Sequence, residues 1–112
     1  TVEMIKAGAD VVVIHLGLTA KGTIGARATM SLQDAVRITQ HLVDVARGQK
    51  SDIITIVHGG PVADVDDFRY VAERVKGLHG FFGATTFERL PVEKAVPEQI
   101  KAFKSIKMNP YP

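Results

Sequence analysis

The sequence predicts an α/β fold assembled from three β-α units, and three observations carry that reading. Short apolar runs, two of them rich in β-branched residues, stand at Val11-Val12-Val13-Ile14, Ile53-Ile54-Thr55-Ile56-Val57 and, shorter and aromatic, at 80 to 83. Helical spacing of apolar residues follows each run. Glycines mark the junctions, most densely at His58-Gly59-Gly60 and Gly80-Phe81-Phe82-Gly83.

In chain order, Val2, Met4, Ile5 and Ala7 end a short helical pattern that Gly8 caps. The four-residue run at 11 to 14 reads as a strand covered on both faces, as in a parallel sheet. Residues 16 to 30 form a long polar loop carrying Gly17, Lys21, Gly22, Gly25 and Arg27. Ser31 is an N-cap, with Asp34 completing a weak capping box. Leu32, Ala35, Val36, Thr39, Leu42, Val43 and Ala46 then make one apolar stripe, closed by Gly48. After the second strand, Asp64 caps a helix with Phe68, Val71, Ala72 and Val75 inward and Gly77 at its end. Pro91 suits a helix first turn, and Pro97 is expected to interrupt or restart that helix. Ile100, Phe103 and Ile106 carry the pattern on, and Asn109-Pro110-Tyr111-Pro112 reads as a terminator without structure.

Right-handed crossovers make the three strands parallel neighbours. Two completions fit, an open three-layer sheet or an arc of a (β/α)8 TIM barrel, which needs roughly 250 residues. The barrel is preferred because all three strands end in polar or glycine-rich segments, as a shared rim would. The chain, 1 to 112, is thus expected to be part of a barrel domain, three of its strands with their helices. Its open edges imply a homo-oligomer or association with the rest of the barrel.

Composition narrows the function classes. Apolar residues are 46% and charged residues 23%, which marks a globular chain. Fourteen basic against 12 acidic residues leave +2, too balanced to imply nucleic acid or an anionic membrane. No run approaches the roughly 20 apolar residues of a membrane span. There is no cysteine, hence no thiolate or disulfide chemistry in this stretch. Without a signal-peptide pattern, a cytoplasmic location is expected.

Candidate site residues cluster at the strand ends. His15 and His58 each close a strand, where an imidazole can act as acid or base or bind a substrate oxyanion; the alternative is a structural hydrogen bond to a nearby loop. Their spacing matches no metal motif, and no metal-binding residues are expected here. Gly59 and Gly60 let the backbone approach a ligand, or simply make a tight turn before Pro61. Gly83, Ala84 and Thr85 begin a second such loop, with the Thr86 hydroxyl as a further donor. Glu88 is a candidate general base and Arg89 a candidate carboxylate clamp, or both hold the loop in place. Phe82 or Phe87 is a better pocket-lining candidate than Phe81, and His79 lies at the opposite, structural end.

The runs AGADVVVIHLG (7 to 17), TIVHGGP (55 to 61) and HGFFGATTFERLPVE (79 to 93) resemble the phosphoenolpyruvate hydrolase-like TIM-barrel family, which also supplies the C-terminal barrel of Tm-1-like proteins. The resemblance spans nearly the whole chain. It implies that these are the last three strands and that the loops after the final two form a phosphate or carboxylate cup. It further implies a small anionic metabolite, phosphorylated or carboxylated, and a phosphoenolpyruvate- or phosphonopyruvate-type lyase or hydrolase. A non-catalytic ligand-binding or oligomerisation domain is the alternative. No cofactor is specified; a divalent metal such as Mg would be held through residues outside this chain.

Overall fold

The computed structural model describes residues 1–19, 30–88 and 92–112. It is an α/β arrangement in the order α1 (Val2–Lys6), β1 (Val11–His15), α2 (Leu32–Gln49), β2 (Ile54–His58), α3 (Val65–Ala72), β3 (Gly80–Phe81), α4 (Thr85–Glu88) and α5 (Val92–Lys104). The three strands form one parallel sheet in sequential order. β1 and β2 pair in register from Val11 opposite Ile54 to His15 opposite His58. Ile56 lies opposite Gly80 and Val57 opposite Phe81.

Local chemistry sets the element ends. Gly8, at φ 101°, follows α1; its N–H donates to the Ile5 carbonyl while Ala9 N–H reaches Met4. Those two bonds are a Schellman closure, which needs a residue at ease in the left-handed region. Ser31 Oγ accepts the Asp34 N–H at 3.0 Å and donates to its carboxylate at 2.8 Å, a cap of about 1 kcal/mol. Asp64 caps α3 through the Asp67 N–H, and the buried Asp67 carboxylate accepts the Ala63 N–H in return.

Four expectations about the elements are corrected. α2 runs through Gly48 to Gln49 and is capped by Lys50, because the pull of its buried stripe of Ala35, Thr39, Val43 and Ala46 outlasts the helix penalty of one glycine. α3 ends at Ala72, and Gly77 instead makes a separate turn at φ 81°. α5 continues through Pro97 at the cost of one backbone bond. The C-terminal tail is structured: Asn109 pairs with Lys76 and its carbonyl accepts the Gly77 N–H at 2.9 Å. Tyr111 covers Gly77 so closely that a Cβ there would lie 2.6 Å from its ring. The Arg47 guanidinium stacks over that ring at 4.7 Å, and the phenol donates to Asp44. Pro91 and the loop residues Lys21, Gly22, Gly25 and Arg27 lie outside the described residues.

A fifth correction matters for function. The strands were expected to be covered on both faces, but among the described residues the helices cover only one. Val12, Ile14, Thr55 and Val57 are buried there with Ala35, Val43, Ala46, Val71 and Ala72. On the other face Val11, Val13 and Ile54 remain 44–47% exposed. Strand alternation explains the split, since successive side chains point to opposite faces. The helices α2 and α3 pack against each other and both lie on one side.

An ion pair ties two elements at their ends. Lys50 binds the Asp10 carboxylate, joining the end of α2 to the start of β1. The Lys50 hydrogen bond holds the Asp10 carboxyl below the ordinary 3.8, and the Ser31 hydroxyl, aided by Arg37, does the same for Asp34. A carboxyl held low in the folded chain stabilises it at pH above its unfolded value and loses that contribution as pH falls through the folded one. Unfolding midpoints in urea are therefore expected to fall below about pH 4, and less steeply in Asp10→Asn. An identical acid limb in that variant would show that Asp10 contributes nothing.

Candidate functional site

Two residues apart along each strand, side chains return to the same face. His15 therefore shares the uncovered face with Val11 and Val13, and His58 shares it with Ile54 and Ile56. The register sets the two histidines side by side at the C-terminal end of the sheet. Their rings meet edge to face, centroids 4.9 Å apart. Phe82, one step beyond β3, adds a third ring edge-on to His58 at 5.0 Å. Below this rim lies an apolar layer of Val13 and Ile56, with Gly80 opposite Ile56. The C-terminal edge of a parallel sheet is where α/β proteins bind ligands.

Backbone groups hold both rings. His58 Nδ1 is 2.7 Å from the Phe82 carbonyl oxygen, and the Gly17 N–H donates to His15 Nδ1 at 3.1 Å. The Leu16 N–H donates to His58 O, and the Gly60 N–H donates to Gly17 O. The parallel ladder thus extends beyond both histidines and fixes where their side chains start.

The glycines at this rim serve packing. Gly59 and Gly60 are buried at φ 74° and 59°. A Cβ on Gly59 would run into the Gly17 carbonyl oxygen, and one on Gly60 would lie 2.5 Å from the Leu16 oxygen. The Gly60 amide is already engaged by Gly17, so it is not a donor in waiting for an anion. A Cβ on Gly83 would lie 2.5 Å from the Phe81 ring, and that aromatic contact accounts for the glycine. Phe81 itself is on the helix side, stacked at 4.9 Å on Phe103 and near Phe68.

The loops after β2 and β3 do meet, through the Thr86 hydroxyl, which donates to Ala63 O at 3.1 Å. That hydroxyl is consumed in the joint. Ala84 is exposed and its carbonyl accepts the amides of Phe87 and Glu88; Thr85 opens α4, half-buried. Glu88 is exposed at the end of α4, and among the described contacts nothing joins its carboxylate to either histidine. Arg89 lies outside the described residues. His79 accepts the Thr55 N–H at the opposite end of the sheet, a structural bond. Among the described residues no three histidine, aspartate or glutamate side chains converge as a metal site. None of their helices is long and apolar enough to cross a membrane.

Sequence reasoning placed both histidines at strand ends but missed what anchors them, the Phe82 carbonyl and the Gly17 amide. Period-two counting from Val11 to His15 would have shown the shared face. Backbone partners across strands leave no such trace.

A family model described as phosphoenolpyruvate hydrolase-like matches residues 1–106. Two tomato (Solanum lycopersicum) proteins, the ToMV susceptible protein tm-1(GCR26) and the ToMV resistance protein Tm-1(GCR237), are each 43% identical over 108 residues. Those matches cover 96% of this chain but only 14% of either tomato protein. A putative transcriptional regulatory protein, y4pA, of Sinorhizobium fredii is 29% identical over 100 residues, 89% of this chain and 16% of that protein.

Gly60→Ala is expected to destabilise the fold by at least about 1–2 kcal/mol, from the left-handed backbone alone, with the Leu16 clash in addition. The imidazole NMR signals of His15 should shift with it. A thermal or urea transition unchanged from the parent would show that the turn relaxes freely.

Proposed function

This chain belongs to the phosphoenolpyruvate hydrolase-like family, and from that premise we propose that it forms the C-terminal arc of a (β/α)8 barrel that binds a small phosphorylated or carboxylated metabolite. The observation that carries the reading is the His15–His58–Phe82 cluster at the C-terminal rim, on the sheet face that would line the barrel interior. His15 and His58 contact the ligand, binding an oxygen and moving a proton. Phe82 walls the site beside His58.

The loop residues enter this reading in a reduced role. Gly59, Gly60 and Gly83 shape the rim, and Thr86 fastens its two loops together. Ala84, Thr85, Glu88 and Arg89 remain proposed contacts from the third loop. A lyase or hydrolase acting on a carbon–carbon or carbon–phosphorus bond stays part of the proposal on the resemblance to that family alone, with any divalent ion such as Mg2+ held by residues beyond this chain. The chain spans about 14% of the length of its tomato relatives, so the reaction of a complete protein is part of the proposal.

A second reading has its own support. Val11, Val13 and Ile54 form an exposed apolar face between two open strand edges, a surface suited to association. In that reading the chain is a ligand-binding or oligomerisation domain without catalysis.

Two measurements test these readings. Soaked phosphate is expected to give density over the His15, His58 and Phe82 rings; an occluded, empty rim at high phosphate would count against the ligand site. In sedimentation the chain is expected to self-associate, and Val13→Lys to shift it toward monomer. A stable, well-folded monomer of the parent chain would sink the association.

A further inference from the structure

The two rim histidines are held in opposite tautomers. A carbonyl oxygen only accepts, so the 2.7 Å contact to Phe82 places hydrogen on His58 Nδ1. The neutral His58 ring then carries its lone pair at Nε2. The Gly17 N–H only donates, so its 3.1 Å bond places a lone pair on His15 Nδ1. The neutral His15 ring therefore carries its hydrogen at Nε2. One ring offers a donor and its neighbour an acceptor, in edge-to-face contact at 4.9 Å.

This pairing discriminates between ligands. A metal ion bridging the pair needs a lone pair on both Nε2 atoms. His15 can supply one only by moving its hydrogen to Nδ1, against the Gly17 N–H. A bare carboxylate satisfies His15 but faces the His58 lone pair with a second acceptor. A ligand matches both rings only if it presents an acceptor oxygen and a hydroxyl together. Because the rings touch, those two groups lie close together in the ligand, as on neighbouring carbons. The layer beneath, Val13 and Ile56, is apolar and suits a compact hydrocarbon remainder.

We propose that the rim selects a 2-hydroxycarboxylate, its carboxylate accepting from His15 Nε2–H and its hydroxyl donating to His58 Nε2. The proposal rests on the anionic-ligand reading above and narrows it. It makes His58 the proton acceptor for the ligand hydroxyl and His15 a fixed donor to the ligand anion. His58 can receive that proton while its Nδ1–H stays on the Phe82 carbonyl.

The test is an NMR titration of the whole chain, with nitrogen-15 imidazole spectra to read the tautomers. The probes are lactate, propionate, 2-methoxypropionate and inorganic phosphate. Lactate is expected to bind roughly tenfold or more tighter than propionate or 2-methoxypropionate, since a site built to pair a hydroxyl rejects analogues lacking it. Its binding should move the His58 Nε2 signal. His58→Asn keeps an N–H for the Phe82 carbonyl but has no Nε2, and should bind lactate and propionate alike. Equal binding of all three acids by the parent chain overturns the hydroxyl selectivity while leaving the anionic reading in place. Failure of all four probes to bind overturns the anionic reading as well. Imidazole spectra of the unliganded parent that show His15 protonated at Nδ1 overturn the proposal without any variant.

Discussion

The structure depends on the parallel ladder between β1 and β2. Every residue from Val11 to His15 is matched with one from Ile54 to His58. Bonds from Leu16 to His58 and from Gly60 to Gly17 carry the pairing past the strand ends. That extension forces the chain after β2 into two consecutive left-handed residues packed against a neighbouring backbone, which only glycine allows. It also fixes the distance between the two histidine side chains. Site geometry and turn geometry are therefore one constraint.

The sheet has two unlike faces, and the asymmetry organises the rest. On one face, α2 and α3 bury Val12, Ile14, Thr55 and Val57, and the stacked rings of Phe68, Phe81 and Phe103 join α3, β3 and α5. On the other, an apolar floor ends in a polar rim. The same alternation that sends Val12 and Ile14 to the core sends His15 outward, so the packing of the core and the placement of the site cannot be changed independently. A one-residue slip of β1 would bury His15 and expose Ile14.

At the opposite end of the sheet, stability rests on a different set of bonds. Gln40 pairs with both backbone groups of Lys76, accepting its N–H at 2.7 Å, and the tail from Asn109 to Tyr111 closes over Gly77. His79 accepts the Thr55 amide there. The two ends thus use histidine differently: His79 fastens a strand, while His15 and His58 are anchored at the rim through Nδ1.

Much of the fold was legible in the chain itself. Ser31 and Asp64 marked their helix starts, Gly8 closed α1, and the β-branched runs became parallel neighbours in the expected order. These are local effects, set by caps, left-handed turns and side-chain periodicity within a few residues. The two histidines were visible too, as polar residues ending apolar strands. What only the tertiary structure decided was non-local. Of the two readings of Gly59 and Gly60, ligand approach or tight turn, it made visible the close-packed turn, and it consumed the Gly60 amide and Thr86 hydroxyl in internal bonds. It left Val11, Val13 and Ile54 exposed on one sheet face where a continuous apolar run reads as buried on both sides. The tautomers of His15 and His58 belong to the same class. They are set by the Gly17 amide and the Phe82 carbonyl, and that carbonyl lies one step beyond β3, 24 residues after His58. A sequence pattern records which side chains alternate, but the direction of a backbone dipole toward a ring exists only once the strands have paired.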